Sequence, residues 1–324
     1  MTTRVLVTTT SFQDTPGPHH DLLNAQGYEL IRARGPLSEN DVLALVGNVD
    51  GILCGDDAYT RAVLRKALPR LRVLSKYGIG LDKIDLAAAT ELGIPVTFCP
   101  GVNHTTVAEH AFGLMLALVR QIPEQNRWVH EGQWKRLTGH ELLGKTLGIL
   151  GLGRIGKEVA IRARAFGMSV IAHDPVWDAS FAAAHDIARA EAPRHLFAAA
   201  DIVTLHMNLT AENRRLVDAQ ALAGMKDGAI LINTARGGLI DEQAVAEAVR
   251  SGKLAGYGAD VVEPEPIRPD NPLRGLDRVV LTPHIGSRTY ESVERQAMMA
   301  VRNLIAVLSG RPALAQANQP ARRG

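Results

Sequence analysis

Residues Gly151-Leu152-Gly153-Arg154-Ile155-Gly156 stand between an aliphatic run, Thr146–Leu150, and an amphipathic stretch, Arg154–Gly167. A G-x-G-x-x-G string alone is a weak signal, because glycines punctuate many turns. At a strand-to-helix junction it becomes restrictive. The first glycine permits a tight turn, the second lets backbone approach a pyrophosphate, and the third lets helix pack on strand. The helix N-terminus then offers N–H groups and partial positive charge to phosphate. Asp174 ends the following strand, 18 residues after Gly156. A carboxylate there accepts hydrogen bonds from both ribose hydroxyls of an adenosine and repels a 2′-phosphate. Pro175-Val176-Trp177 bring no basic residue to pair with such a phosphate. The pattern predicts a dinucleotide site that prefers NAD to NADP.

Around this motif the chain alternates short aliphatic strands with amphipathic segments, the signature of parallel α/β structure. In the first hundred residues Arg4–Thr9, Tyr28–Ile31, Gly51–Leu53, Arg72–Ser75 and Pro95–Phe98 read as strands, and Leu81–Leu92 as a helix. From Gly144 a second series holds six strands: Thr146–Leu150, Ser169–His173, Asp201–Leu205, Ala229–Asn233, Gly256–Asp260 and Arg278–Thr282. The expected fold is two Rossmann-like, doubly wound parallel-sheet domains. One, flavodoxin-like, comprises 1–101 and 290–324 and is discontinuous because the helix Glu291–Leu308 returns to it. The other, 102–289, binds the dinucleotide. Thr105–Arg120 is apolar nearly all round and is read as a helix buried on several faces, either an ordinary core helix or one wedged between domains and against a second subunit. The final stretch, RPALAQANQPARRG, reads as a frayed tail.

Composition narrows the function. Hydrophobic residues are 46%, charged residues 22% and aromatics 4% of the 324 residues, with a formal net charge of +2. That balance offers no field for nucleic acid or an anionic membrane, and no apolar run is long enough to span a bilayer. The N-terminus lacks signal-peptide architecture. Two cysteines, Cys54 and Cys99, suit buried thiols in a reducing cytoplasm. No His/Cys/Asp set has metal-ligand spacing.

Three polar residues fall just beyond late strands, where open α/β sheets bind ligands. Arg236 follows ILINTA, Glu265 lies in VVEPEP, and His284 follows VVLTP. A guanidinium holds a carboxylate bidentately. An imidazole exchanges a proton near neutrality, and a neighbouring carboxylate orients it and favours its cationic form. This is equipment for moving a proton and a hydride at a carbonyl that carries a carboxylate.

With GLGRIG, NTARGGLIDEQAV, GADVVEPEP, TPHIGS, YGIGLDKID and PGVNHTTVAEHA all present, the chain resembles the D-isomer-specific 2-hydroxyacid dehydrogenases over nearly its whole length. The resemblance implies that Arg236 binds the substrate carboxylate and polarises the carbonyl, that His284 is the proton donor in reduction, and that Glu265 is its partner. It implies that the backbone of Gly78, Ile79 and Gly80 holds the substrate from the opposite domain, with closure about Pro100–Asn103 and Gly286–Thr289. Arg154, Ile155, Asp174, Thr234, Ala235, Asp260 and Gly286, in the turn after His284, would touch the cofactor with Gly151, Gly153 and Gly156. The chain departs from the pattern at Asn208, where proline is usual, at Val262, where an aromatic is common, and at Ser287-Arg288-Thr289, in place of a small turn.

Within the family the shape is most similar to the phosphoglycerate dehydrogenase and hydroxypyruvate reductase group, in a short form without a C-terminal regulatory domain. The expected enzyme is a cytoplasmic homodimer. Glu265 argues against the formate dehydrogenase branch, where glutamine pairs with the histidine. A fingerprint beginning at Gly151 argues against an L-specific enzyme. An NADH-binding co-repressor of the same fold is the alternative from another class. Cys54, Asp56, Tyr59, Ser75, Lys76 and His104 are expected to line the pocket. Lys76 or Arg61 is a candidate partner for a phosphate or second carboxylate, though each reads first as a solvated surface charge.

Overall fold

The computed structural model describes residues 2–320. The chain forms two compact units, one running to Asn103 and resuming at Arg288, the other spanning His104–Ser287. The first unit is built on five parallel strands: β1 (Arg4–Val7), β2 (Glu29–Arg32), β3 (Gly51–Cys54), β4 (Val73–Lys76) and β5 (Val96–Thr97), in the order β2-β1-β3-β4-β5. That is the flavodoxin-like order. β3 and β4 are buried along their whole length, as expected of strands covered on both faces. The helix Tyr290–Leu308 packs Ala297, Ala300, Val301 and Leu304 on Val5, Val7, Leu53 and Val73, which is why the unit is discontinuous in sequence.

Two local expectations for this unit fail. The helix read over Leu81–Leu92 is only Leu86–Glu91, because Asp85 caps it by accepting the Ala88 N–H at 2.8 Å. The preceding residues are instead tied to Tyr59, whose N–H donates to Lys83 O at 2.8 Å. The tail is also ordered through residue 320. The Asn318 side chain accepts from Val96 N at 2.8 Å and donates to Ile94 O at 2.9 Å, and Ala317 N donates to Val96 O. It satisfies the edge of β5 that would otherwise be unpaired. The last four residues, 321–324, lie outside the described residues.

The second unit has seven parallel strands where six were expected: β6 (Thr146–Leu150), β7 (Ser169–His173), β8 (Ile187–Arg189), β9 (Ile202–Leu205), β10 (Ala229–Asn233), β11 (Leu254–Ala259) and β12 (Val279–Leu281). Their order is β12-β11-β10-β9-β6-β7-β8. The extra strand, β8, is three residues long with two exposed, too short to show an apolar pattern. The order reverses between β6 and β9, which pair directly. At such a switch point the crossovers diverge and leave a crevice at the carboxyl ends of the strands.

The apolar helix is His104–Val119, and its own unit covers it. Leu114, Met115 and Leu118 lie in one core with Leu147, Ile149, Ile230 and Ile232. Glycines at alternate positions of β11 allow the approach. A Cβ on Gly256 would lie 2.9 Å from Leu118 Cδ2, and one on Gly258 would lie 3.1 Å from Leu114 Cβ. The helix is therefore an ordinary core helix of its unit and needs no second subunit to bury it, which decides between the two readings the sequence left open. Exposed apolar surface lies instead just after it, at Ile122, Val129 and Trp134. Among the described residues no helix is long and apolar enough to cross a membrane.

The close seat of helix on sheet yields a prediction. Gly258→Val should lower unfolding free energy by about 1–3 kcal/mol, the usual cost of overpacking, in urea titration followed by circular dichroism. An unchanged midpoint would show that the helix is not held at this distance.

Candidate active site

The glycine loop follows the stereochemistry the fingerprint requires. Gly151 has φ 95°, and a Cβ there would lie 2.5 Å from His206 O. A Cβ on Gly156 would lie 2.0 Å from Gly151 O, so only glycine lets the helix Arg154–Ala165 start against β6. Gly153 differs. It is the helix N-cap, exposed, and a Cβ on it would meet nothing within 4 Å. That open space beside free helix N–H groups fits a pyrophosphate. Arg154 is exposed and Ile155 half-buried on the first turn. Asp174, just past β7, is held facing this loop: it accepts from Leu152 N and Val176 N, both at 2.7 Å. Each carboxylate oxygen keeps a lone pair for a ribose hydroxyl.

The ends of β9 and β10 complete the crevice. His206, one residue past β9, was not singled out from sequence. Its Nε2 lies 2.8 Å from Thr204 Oγ1 and its Nδ1 3.5 Å from Thr234 Oγ1. Desolvation pulls its pKa down to about 3, which keeps the ring neutral. The available signal was position: a polar residue ending the strand that neighbours the fingerprint strand. Thr234 and Ala235 are buried in the turn after β10. Buried Asn233 organises that turn, accepting from Ala235 N at 3.0 Å and donating to Arg236 O at 2.8 Å. Arg236 emerges half-buried, its Nη1 donating to Ala235 O at 2.7 Å. Gly237 then tucks against the next loop, where a Cβ would lie 2.3 Å from the Val262 carbonyl carbon. The Arg236 turn and the loop carrying Glu265 are thus in backbone contact. That loop is anchored by Arg214 Nη1 on Glu263 Oε2 at 2.7 Å, and by Glu263 N on Glu242 Oε1 at 2.9 Å.

His284 and Glu265 meet. His284 Nδ1 lies 2.8 Å from Glu265 Oε2, with the two side chains 39% and 38% exposed. His284 has φ 54°, a left-handed conformation that costs a non-glycine residue free energy. Asp260, buried at the end of β11, holds it there. Its Oδ1 accepts from Ile285 N at 2.8 Å and from Thr282 Oγ1 at 2.6 Å, its Oδ2 accepts from Gly286 N at 2.7 Å, and its carbonyl accepts from His284 N at 2.8 Å. These hydrogen bonds, with His110, keep its carboxyl below the usual range despite burial. His110, from the apolar helix, lies 2.9 Å from Thr282 Oγ1. A Cβ on Gly286 would lie 2.8 Å from Asp260 Oδ2, so glycine is required in the clamp. Asp260, expected beside the cofactor, is thus largely engaged in fixing the turn after His284.

The structure brings together Glu265, His284 and Asp260, and it places the Arg236 turn against the same loop. Gly78, Ile79 and Gly80 belong to the first unit, following β4, with Gly78 at φ 113°. Of the expected pocket residues, Cys54, Tyr59, Ser75 and Lys76 are buried, which corrects the reading of Lys76 as a solvated charge. Arg61 is half-buried and paired with Glu91 at 2.5 Å. Both cysteines are free thiols, pushed up by burial. Nδ1 of His104, also an expected pocket residue, and Oδ1 of Asn103, which was not expected there, are buried without a hydrogen-bond partner.

Fold and crevice together define a dinucleotide-binding protein that carries an imidazole–carboxylate pair and a guanidinium at one sheet edge. A family model described as D-isomer specific 2-hydroxyacid dehydrogenase, NAD binding domain, matches residues 112–286. The chain is 38% identical over 302 residues to a D-3-phosphoglycerate dehydrogenase of Archaeoglobus fulgidus, covering 93% of this chain and 57% of that protein. It spans little more than half the length of that relative. It is 41% identical over 289 residues to a hydroxypyruvate reductase of Thermotoga maritima, covering 87% of this chain and 92% of that one. The solved structure of TT0316 protein from Thermus thermophilus superposes with a TM-score of 0.88 at 40% identity, over 97% of this chain and 99% of that one. The chain belongs to the D-isomer-specific 2-hydroxyacid dehydrogenase family and carries its NAD-binding domain.

Two glycines separate folding from binding. Gly156→Ala should fail to fold or lose several kcal/mol, because backbone blocks its Cβ. Gly153→Ala should keep the wild-type melting temperature while weakening NADH binding in fluorescence titration. Equal stability of the two variants would contradict the loop geometry. His206 supplies a pH test. Below its unfolded pKa, near 6.5, the unfolded chain takes up a proton that the folded chain refuses until about pH 3. Stability should therefore fall through this window, and His206→Gln should flatten that slope. An unchanged slope would mean that the ring is not desolvated.

Proposed function

We propose that the protein is an NAD-dependent oxidoreductase that interconverts a D-2-hydroxy acid and its 2-keto acid. The observation that carries this reading is the 2.8 Å pair His284 Nδ1–Glu265 Oε2 beside the Arg236 turn. Gly151, Gly153, Arg154, Ile155, Gly156, Asp174, Thr234, Ala235, Asp260 and Gly286 are the residues proposed to hold NAD, which when bound supplies or takes up the hydride. Arg236 holds the substrate carboxylate and draws electron density from the adjacent carbonyl. The backbone of Gly78, Ile79 and Gly80 is proposed as a further holder of the substrate. His284, with Nδ1 committed to Glu265, presents Nε2 to the reacting oxygen. In reduction it gives its proton to that oxygen as C2 gains the hydride. In oxidation it removes the hydroxyl proton.

The reaction is tested by screening glyoxylate, pyruvate, hydroxypyruvate and branched 2-keto acids for NADH consumption. Binding of NADH without turnover of any of them would favour a regulatory role. Glu265→Gln keeps the size and a hydrogen bond but removes the charge that favours imidazolium. The alkaline limb of reduction and the acid limb of oxidation should both move to lower pH, by on the order of one unit or less at this exposure. Both limbs must move together, because one proton governs both directions, and stationary profiles would refute the pairing. Asp174→Ala should weaken NADH binding and narrow the preference over NADPH. Equal catalytic efficiency of the wild-type protein with the two cofactors would refute that role.

The protein is further proposed to be a cytoplasmic homodimer. Free buried Cys54 and Cys99 suit a reducing compartment. Ile122, Val129 and Trp134, respectively 53%, 51% and 78% exposed, offer an apolar face to a second copy. Light scattering should give twice the chain mass at micromolar concentration, and Trp134→Arg should lower it.

A further inference from the structure

Four residues of helix advance about 6 Å and two residues of strand about 6.6 Å, so a helix laid along a strand can meet every second strand residue with every fourth of its own. The apolar helix His104–Val119 keeps this register on β11. Leu118 sits against Gly256 and Leu114 against Gly258, at 2.9 and 3.1 Å from the Cβ positions those glycines leave open. One further step, four residues back on the helix and two onward along the strand direction, brings His110 to Asp260. His110 Nε2 lies 3.4 Å from Asp260 Oδ1 and 2.9 Å from Thr282 Oγ1. Its Cδ2 lies 3.5 Å from the point a Cβ on Gly286 would occupy. The ring therefore abuts the turn that carries His284 on both sides, at Thr282 and at Gly286.

The direction of the hydrogen bond follows from a count of protons. Thr282 has one hydroxyl proton, and it goes to Asp260 Oδ1 at 2.6 Å. An ionised carboxylate only accepts. His110 Nε2 must then carry a proton of its own and donate it to a lone pair of Thr282 Oγ1. Imidazole and hydroxyl form a run of donors ending on Asp260, which also accepts from Ile285 N at 2.8 Å and from Gly286 N at 2.7 Å.

We propose that His110 is a positioning residue of the reaction: as a fixed Nε2–H donor it holds the Thr282 hydroxyl on Asp260 and so sets the turn from which His284 presents its imidazole. The proposal rests on the reading of His284 as the group that gives and takes the proton. Without this donor the Thr282 hydroxyl is free to turn toward Ala259 O, 3.5 Å away, and Asp260 loses its bond. His284, at φ 54°, then loses part of what holds it in a costly conformation. A displaced proton donor slows the chemical step more than it weakens binding, so the loss falls on kcat.

The test compares the full-length wild type with His110→Leu, His110→Gln, Thr282→Val and the double variant His110→Leu/Thr282→Val. Glutamine can carry an N–H to the place of Nε2, and leucine cannot. One readout is kcat and KM for the 2-keto acid that the wild type reduces. The other, independent of turnover, is hydrogen exchange at the Ile285 and Gly286 amides. His110→Leu should lower kcat by at least about tenfold, leave KM and NADH binding little changed, and speed exchange at both amides. His110→Gln should restore kcat and slow exchange. The double variant should be no worse than the worse single variant, because both substitutions break the same run of donors. Thr282→Val leaves the helix core untouched and should reproduce the kcat loss even where His110→Leu does not fold. A loss confined to melting temperature, a kcat loss that glutamine does not rescue, or additive losses in the double variant would overturn the proposal. If no 2-keto acid is reduced, the proposed activity fails. Amide exchange then decides the role of His110: faster exchange that glutamine reverses supports it, and unchanged exchange overturns it.

Discussion

The crevice of the second unit depends on one buried carboxylate. Asp260 directly follows β11 and gathers the turn that follows β12 through hydrogen bonds from Thr282, Ile285 and Gly286. Without these acceptors, His284 would have no reason to stay at φ 54°. Burying a carboxylate is costly unless donors surround it, and this one is surrounded. The apolar helix contributes as well. His110 reaches Thr282 from a helix brought close by the glycines of β11. Packing of the helix, the clamp and the orientation of the imidazole therefore form one chain of dependence.

The parallel sheets explain why the proposed machinery is gathered at one edge. Each strand of the second unit runs the same way, so every carboxyl end opens on the same side. The glycine loop, Asp174, His206, the Arg236 turn, Asp260 and His284 all follow strand ends there. Adjacent loops then support one another: Gly237 rests on the backbone of Val262, and Glu242 and Arg214 hold Glu263. The Glu265–His284 pair is exposed enough to exchange protons with a ligand, while its supports are mostly buried.

Much of this was legible in the sequence because its constraints are local. Each fingerprint glycine answers to a separate steric demand, and position after a strand singled out Arg236, Glu265 and His284 as candidates, of which the structure sets Glu265 against His284. What escaped depends on contacts distant in sequence. β8 is too short and exposed to carry a pattern. The order of residues 311–320 comes from Asn318 binding β5, 222 residues away for its bond to Val96. The apolar helix looked incompletely covered because nothing local reveals that Gly256 and Gly258 lie beneath it. Lys76 looked like a surface charge because its burial is set by the pairing of β4 with β3 and by Asp56 across the sheet edge.

The proposed reaction transfers hydride to C2 of a 2-keto acid in this crevice while His284 supplies the proton. Reduction of hydroxypyruvate or glyoxylate with NADH stereospecifically deuterated at C4, with the product analysed by mass spectrometry and chiral chromatography, tests it most directly. With each C4 epimer of the labelled cofactor used in turn, one epimer should deliver deuterium to C2. Glycerate formed from hydroxypyruvate should have the D configuration, and His284→Ala should abolish the transfer while retaining NADH binding. Unlabelled product from both epimers, glycerate of the L configuration, or undiminished transfer by His284→Ala would contradict it.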